Sequence, residues 1–146
     1  MAKHKVEEIT LSINGNSLEN AFSRIAVAMF DIVLETKEIN PVITKTLIIK
    51  SGDLKNLLYQ FLKKLFDLAN TELFVLAKVR QLVIEQISGD YLLNAVLIGD
   101  RMNEKYKIRD IVKQVTERNI SVKENMEGSF LQINIVVERR DVENEV

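Results

Sequence analysis

The sequence SGDLKNLLYQFLKKLFDL at residues 51–68 predicts a long amphipathic helix. Apolar residues recur in it at intervals of three and four, the spacing of one helix face, at Leu54, Leu57, Leu58, Phe61, Leu62, Leu65 and Leu68. Asp53 is placed to cap the first turn, where backbone N–H groups have no partner inside the helix. Because such a face must be buried against another element, we expect the rest of the chain to supply a sheet that receives it.

The residues before this helix alternate between strand and helix patterns. Residues 6–13 alternate between apolar and polar side chains, which predicts a half-buried strand. A helix capped by Ser17 is predicted to follow and to reach about Leu34. Residues 42–50 are rich in Thr and Ile and predict a second strand, which leads into the helix at residues 51–68.

The second half of the chain is dominated by strand patterns. Residues 73–87 and 91–98 predict a hairpin, and residues 121–124 and 130–137 predict another around an Asn-Met-Glu-Gly turn. Residues 108–116 fit either a strand or a helix. We therefore expect an α+β fold, a two-layer sandwich in which two helices pack on a mostly antiparallel β-sheet with C-terminal hairpins.

The composition fits one folded domain over residues 1–146, with residues 1–3 and 140–146 expected to fray. Hydrophobic residues make up 47% of the chain and charged residues 28%, so a sizeable core is expected. No apolar stretch reaches the length of a membrane span, and the first residues are charged, unlike a secretion signal. We therefore expect a cytoplasmic protein.

Several classes of function are disfavoured by what the chain lacks. It has no cysteine and one histidine, His4, which argues against thiol nucleophiles, Cys-ligated metals and a Ser–His–Asp triad. No glycine-rich phosphate loop occurs. The net charge is −1, whereas a dedicated nucleic-acid binder is usually basic. We expect neither an enzyme acting alone nor a protein whose partner is DNA or a membrane.

The remaining candidate ligands are carboxylates at strand ends. Glu7 and Glu8 lie in the first strand, and Glu138 ends the last long one. If these strands are neighbours, Glu8 and Glu138 could converge, and carboxylate oxygens suit a hard cation such as Ca²⁺ or Mg²⁺. Charged residues at strand ends are more often simply solvated.

Two further surfaces compete with this one. A basic stretch around Tyr106 could contact RNA, although a solvated loop is favoured, and its members are Arg101, Lys105, Lys107, Arg109 and Lys113. Tyr59 and Phe66 could form a patch for a protein partner, although burial at the edge of the core is favoured.

Several short segments of the chain resemble the archease family. They are SLENAFSRIAVAMFDIV at residues 17–33, SGDLKNLLYQFLKKL at residues 51–65, Ile98-Gly99-Asp100, the pair Lys113 and Thr116, and the closing strand at residues 131–138. The resemblance covers nearly the whole chain. It implies a compact α+β sandwich and a small non-enzymatic protein. Archeases activate the RtcB-type RNA-splicing ligase in tRNA splicing by promoting its guanylylation and turnover.

The resemblance also implies a divalent-cation site, for Ca²⁺ above all. Its first ligand, an aspartate in the family, falls on Glu8, and the second pair, an aspartate and the next residue's carbonyl, falls on Glu138 and Arg139. The chain departs from the pattern here. The family's His-Thr-Ala-Asp reads Lys-Val-Glu-Glu ending at Glu8, and its Thr-Tyr-His reads Thr-Glu-Arg ending at Arg118. Both ligand aspartates become glutamates, and Arg118 brings a cation near the site.

Two main hypotheses follow. The first is an accessory protein whose partner is an RNA-splicing ligase, with tRNA contacted only indirectly and with a divalent cation at Glu8, Glu138 and Arg139. The second is a divergent archease-like protein-interaction or chaperone-like module that has no metal site. Direct RNA binding through residues 101–113 is a third interpretation, and it predicts an affinity that falls steeply with salt.

Overall fold

The computed structural model describes residues 5–140, which form two helices, a short 3-10 turn and two antiparallel sheets. The elements in chain order are β1 (Lys5–Gly15), α1 (Leu18–Val33), the 3-10 turn (Thr36–Glu38), β2 (Ile43–Ser51), α2 (Leu54–Thr71), β3 (Phe74–Ile87), β4 (Asp90–Arg101), β5 (Ile111–Val115), β6 (Ser121–Asn125) and β7 (Gly128–Arg139). The predicted α+β class, with two helices packed against antiparallel strands, is confirmed.

Both helices begin at the residues that the sequence marks as caps. The Ser17 side chain accepts a hydrogen bond from the backbone N–H of Asn20 at 3.0 Å. At the start of α2, the Asp53 carboxylate accepts from the N–H of Asn56 at 2.7 Å. Each bond satisfies one of the N–H groups that the first helical turn leaves without a partner, which is why the helices start there.

The strands divide into two sheets, whereas the sequence predicted one. One sheet has the order β2-β4-β3. The other is four-stranded, with β7 between β1 and β5 and with β6 also paired to β7. Of residues 108–116, which fitted a strand or a helix, residues 111–115 form the short strand β5. Because β7 pairs with strands from both ends of the chain, it organises the second sheet.

The outer face of the four-stranded sheet is defined by the register of β1 on β7. Glu8 lies opposite Val136, and Thr10 lies opposite Asn134. Residues directly opposite in an antiparallel pair point to the same side. The odd-numbered residues of β7 from 131 to 137 are buried, so the even-numbered ones, with Glu8 and Thr10, form the outer face.

One apolar core joins the two sheets and the two helices. Phe22 of α1 and Phe61 of α2 are fully buried, with ring centroids 5.8 Å apart. The same cluster contains Leu97 from the three-stranded sheet and Ile135 from the four-stranded sheet. The apolar stripe that predicted α2 is therefore the stripe that is buried, as expected for an amphipathic helix.

The expected fraying of residues 1–3 and 141–146 lies outside the described residues. Residue 140 is described, and its backbone N–H donates a hydrogen bond to Asp110 at 3.0 Å. Within residues 5–140, neither helix is long and apolar enough to cross a membrane.

Candidate functional site: a polar cluster on the outer sheet face

A connected set of polar side chains occupies the outer face beside the end of β5. We call it the outer-face cluster, and its members are Glu8, Thr10, Arg118, Asn119, Gln132 and Asn134. Glu8 and Thr10 come from β1, Gln132 and Asn134 come from β7, and the other two come from the connection between β5 and β6. Long-range strand pairing therefore brings together three distant parts of the chain.

Glu8 is held by a two-pronged ion pair with Arg118. The guanidinium donates from Nη2 to Oε1 at 2.7 Å and from Nε to Oε1 and Oε2 at 3.1 and 3.0 Å. Asn134 donates from Nδ2 to Oε2 at 2.7 Å. These hydrogen bonds, from Arg118 first and Asn134 second, lower the pKa of Glu8 to about 2. The carboxylate is therefore ionised at any ordinary pH.

Asn134 lies at the centre of the network because both the oxygen and the nitrogen of its side-chain amide form hydrogen bonds. Its Oδ1 accepts from Thr10 Oγ1 at 2.8 Å and from Asn119 Nδ2 at 3.1 Å, while its Nδ2 serves Glu8. Asn119 also accepts from Gln132 Nε2 at 2.9 Å. Asn119 has a φ of +58°, a left-handed conformation that asparagine tolerates better than most residues.

The connection that carries Arg118 is fixed to β7 by its backbone. The buried Thr116 donates from Oγ1 to the Asn134 carbonyl at 2.6 Å, and it accepts from the Arg118 N–H at 3.1 Å. The Asn134 N–H donates in turn to the Arg118 carbonyl at 3.0 Å. The guanidinium thus extends from an anchored backbone, which reduces the entropy lost when the ion pair forms.

The second predicted carboxylate lies on the same face as Glu8, but the two carboxylates contact different side chains. Glu138 is opposite Val6, two residues beyond Val136 along β7, so it is a diagonal neighbour of Glu8. Glu8 bonds to Asn134, which lies on the other side of Val136. Lys113 Nζ lies 3.6 Å from Glu138 Oε1. Each carboxylate is therefore paired with a different basic side chain, Glu8 with Arg118 and Glu138 with Lys113.

Arg139, the third predicted position, directs its side chain to the opposite sheet face. It donates from Nε to Glu7 at 2.8 Å and from Nη1 to Asp110 at 3.0 Å. These contacts raise the pKa of Arg139 and lower that of Glu7. They tie β1, β7 and the start of β5 together, which is a structural role.

The contacts that Glu8 already makes oppose direct binding of a divalent cation. Among residues 5–140, no three His, Cys, Asp or Glu side chains form a group that could hold a metal ion. Both oxygens of Glu8 already accept hydrogen bonds from protein donors. Calcium prefers six to eight oxygen ligands, and a positive guanidinium in contact with the first of them opposes its binding.

In the basic stretch at residues 101–113, Tyr106 and Arg109 form hydrogen bonds within the protein. Tyr106 is buried, and its hydroxyl donates to Asp100 at 2.6 Å and accepts from the Asn40 N–H at 2.9 Å. Burial and the bond to Asp100 raise the pKa of Tyr106. Arg109 donates to the carbonyls of Asp31 and Leu34. A tyrosine held in this way cannot stack on an RNA base.

Tyr59 and Phe66 are partly buried against the core, as the favoured interpretation predicted. Phe66 also lines an apolar cavity of about 210 Å³ with Met29 and Phe30 of α1 and Ile108 and Val112 near β5. This pair therefore contributes mainly to the packing of α2 against the core.

A family model described as the archease protein family matches residues 8–137. The chain belongs to the archease family. Curated archeases of Pyrococcus furiosus and Thermococcus kodakarensis are 29% and 30% identical over 118 residues, each match covering 80% of this chain and 82% of the relative. That of Saccharolobus solfataricus is 30% identical over 122 residues, or 83% of this chain and 86% of the relative.

The archease fold has a solved counterpart. The solution structure of protein 1598 of Methanobacterium thermoautotrophicum covers 92% of this chain, and 96% of that chain is covered, with a TM-score of 0.71. The two sequences are 21% identical, so this likeness concerns the fold. In this archease, the alternation of polar residues on β7, Gln132 and Asn134 among Ile and Val, is the sequence signal that could have predicted the outer-face cluster.

Proposed function

We propose that this archease is an accessory protein of an RtcB-type RNA-splicing ligase in tRNA splicing, and that the ligase performs the catalysis. The observation that supports the proposal best is family membership over residues 8–137. The composition is in keeping with it, because a chain with no cysteine and one histidine has few groups for nucleophilic catalysis. The ligase is the protein partner, and tRNA is reached through it.

We further propose that the outer face of the four-stranded sheet contacts the ligase. The outer-face cluster is held by many mutual hydrogen bonds, so its polar groups are ordered before a partner arrives. Preordered groups lose less entropy on binding than mobile ones. Val6, with 59% of its surface exposed, adds an apolar contact beside the cluster.

The test is turnover of the cognate ligase with and without stoichiometric archease. We expect faster guanylylation and more turnovers per ligase when the archease is added, and no ligation by the archease alone. Thr10→Arg places a bulky side chain on the proposed contact face and should reduce the gain. Thr46→Arg, on β2 of the other sheet, is the matched control and should retain it. Ligase turnover that is unchanged by wild-type archease would refute the proposal.

Calcium binding at Glu8, Glu138 and the Arg139 carbonyl stays a prediction, and the ion pair of Glu8 with Arg118 opposes it at Glu8. An accessory function that needs the cation and one that does not are separated by treating the archease with chelator before the ligase assay. A metal-free accessory protein should stimulate guanylylation equally after its own solution has been treated with chelator and desalted, whereas a metal-dependent one should lose the effect until calcium is returned.

A further inference from the structure

The acceptor capacity of the Glu8 carboxylate is almost fully used by groups of the same chain. An ionised carboxylate offers about four lone-pair sites on its two oxygens. Arg118 supplies three donor contacts and Asn134 supplies a fourth, all between 2.7 and 3.1 Å. A cation that bound Glu8 directly would have to displace at least the guanidinium.

The guanidinium also supplies the charge that a bound cation would supply. It is positive, it faces both carboxylate oxygens, and it is anchored through Thr116 to the backbone of Asn134. Planar two-pronged pairing of this kind is the geometry in which arginine binds a carboxylate most strongly. The outer-face cluster is therefore electrically satisfied without an ion.

We propose that the Arg118 guanidinium takes the place of a divalent cation at Glu8, so that wild-type protein does not bind such an ion there, and that removing the guanidinium opens the site to one. The oxygens left around Glu8 would then be those of Thr10, Asn119 and Asn134, which already contact one another. Hydroxyl, amide and carboxylate oxygens are suitable ligands for Ca²⁺ and Mn²⁺.

The experiment is a titration of the isolated ¹⁵N-labelled protein with Mn²⁺, which broadens nuclear magnetic resonance signals near its binding site. Wild-type protein should show no selective broadening around Thr10 and Asn134. Arg118→Gln should show it, with an apparent Mn²⁺ affinity about tenfold or more above that of wild type, the size of effect expected for one nearby charge. Adding Glu8→Gln to that variant should abolish the selective broadening.

Lys123→Gln is the matched control because it removes one positive charge from an exposed position on β6. It should behave like wild type. The proposal is overturned if wild type shows broadening around Thr10 that Glu8→Gln removes, or if folded Arg118→Gln binds Mn²⁺ no better than Lys123→Gln.

If Arg118→Gln does not fold, Arg118→Lys is the variant to titrate. Lysine keeps the positive charge but lacks the planar fork of the guanidinium. We expect its affinity for Mn²⁺ to rise above that of wild type, by less than in Arg118→Gln. If this variant gains none, the fork is not what excludes the ion and the proposal fails. The measurement needs no ligase, so its outcome is independent of the proposed accessory function.

Discussion

At the scale of single residues, Glu8 shows how neighbouring side chains set the pKa of a carboxylate on the outer face of a sheet. Its ordinary pKa of 4.5 falls to about 2, chiefly through the hydrogen bonds from Arg118 and then through the bond from Asn134. A lowered pKa means that the folded protein holds the ionised form more firmly than the unfolded chain does. The stabilisation is present above pH 4.5, and it is lost as the pH falls towards 2.

Glu8→Gln should therefore flatten the acid side of the stability curve. Between pH 4.5 and 2, wild type should lose more free energy of unfolding than the variant does, because only wild type must protonate Glu8. The measurement is the urea midpoint from pH 2 to 6. Glu124→Gln, an exposed carboxylate on β6, controls for the loss of one charge. Parallel curves for wild type and Glu8→Gln would contradict this account of the ion pair.

At the scale of elements, the β3–β4 hairpin depends on its two-residue turn and on a close backbone contact near its other end. Ser88 and Gly89 form the turn with φ values of +50° and +86°, the left-handed conformations that a two-residue hairpin loop requires. Near the other end, Gly99 packs directly against the backbone carbonyl of Val75. A methyl group at position 99 would overlap that carbonyl, and a backbone atom in a sheet cannot easily move away.

Gly99→Ala should reduce the free energy of unfolding by about 1–3 kcal/mol, the usual range for overpacking. The loss should appear in urea unfolding, together with faster hydrogen exchange at the start of β3. Gly52→Ala is the matched control, because the nearest atom to its added methyl is Asp90 Oδ1 at 3.9 Å. Equal effects of the two substitutions would show that the contact with Val75 is not what limits position 99.

The helices could be predicted from the sequence, whereas the pairing of distant strands could not. Both helices were predicted because their caps and apolar stripes are local signals, seen at Ser17 and Asp53. The division into two sheets was not predicted, because it depends on which distant strands pair. Glu8 and Asn134, for example, are 126 positions apart. Likewise, Glu8 and Arg118 could be singled out from sequence, but the role of Asn134 required the register of β1 on β7.

At the scale of the whole molecule, the larger of the two buried apolar clusters spans both sheets. Phe61→Ala should cost about 3–5 kcal/mol, because it leaves a cavity beside Phe22 where both helices meet. Since the core is shared, amide protection should fall by a similar amount in β4 and in β7. Ile48→Ala, at a position with 71% of its surface exposed, should change stability by less than about 0.5 kcal/mol. Loss of protection confined to one sheet would show that the two halves unfold separately.

The anchoring of Arg118 has a consequence for how the surface responds to its surroundings. A group carried on the same chain meets its partner at an effective concentration fixed by the fold, and dilution does not lower it. The Glu8–Arg118 pair is formed in this way, with the guanidinium supplied from a backbone bonded to β7. If the pair excludes divalent cations as proposed, this part of the surface should present the same charges to a partner whether such cations are scarce or abundant.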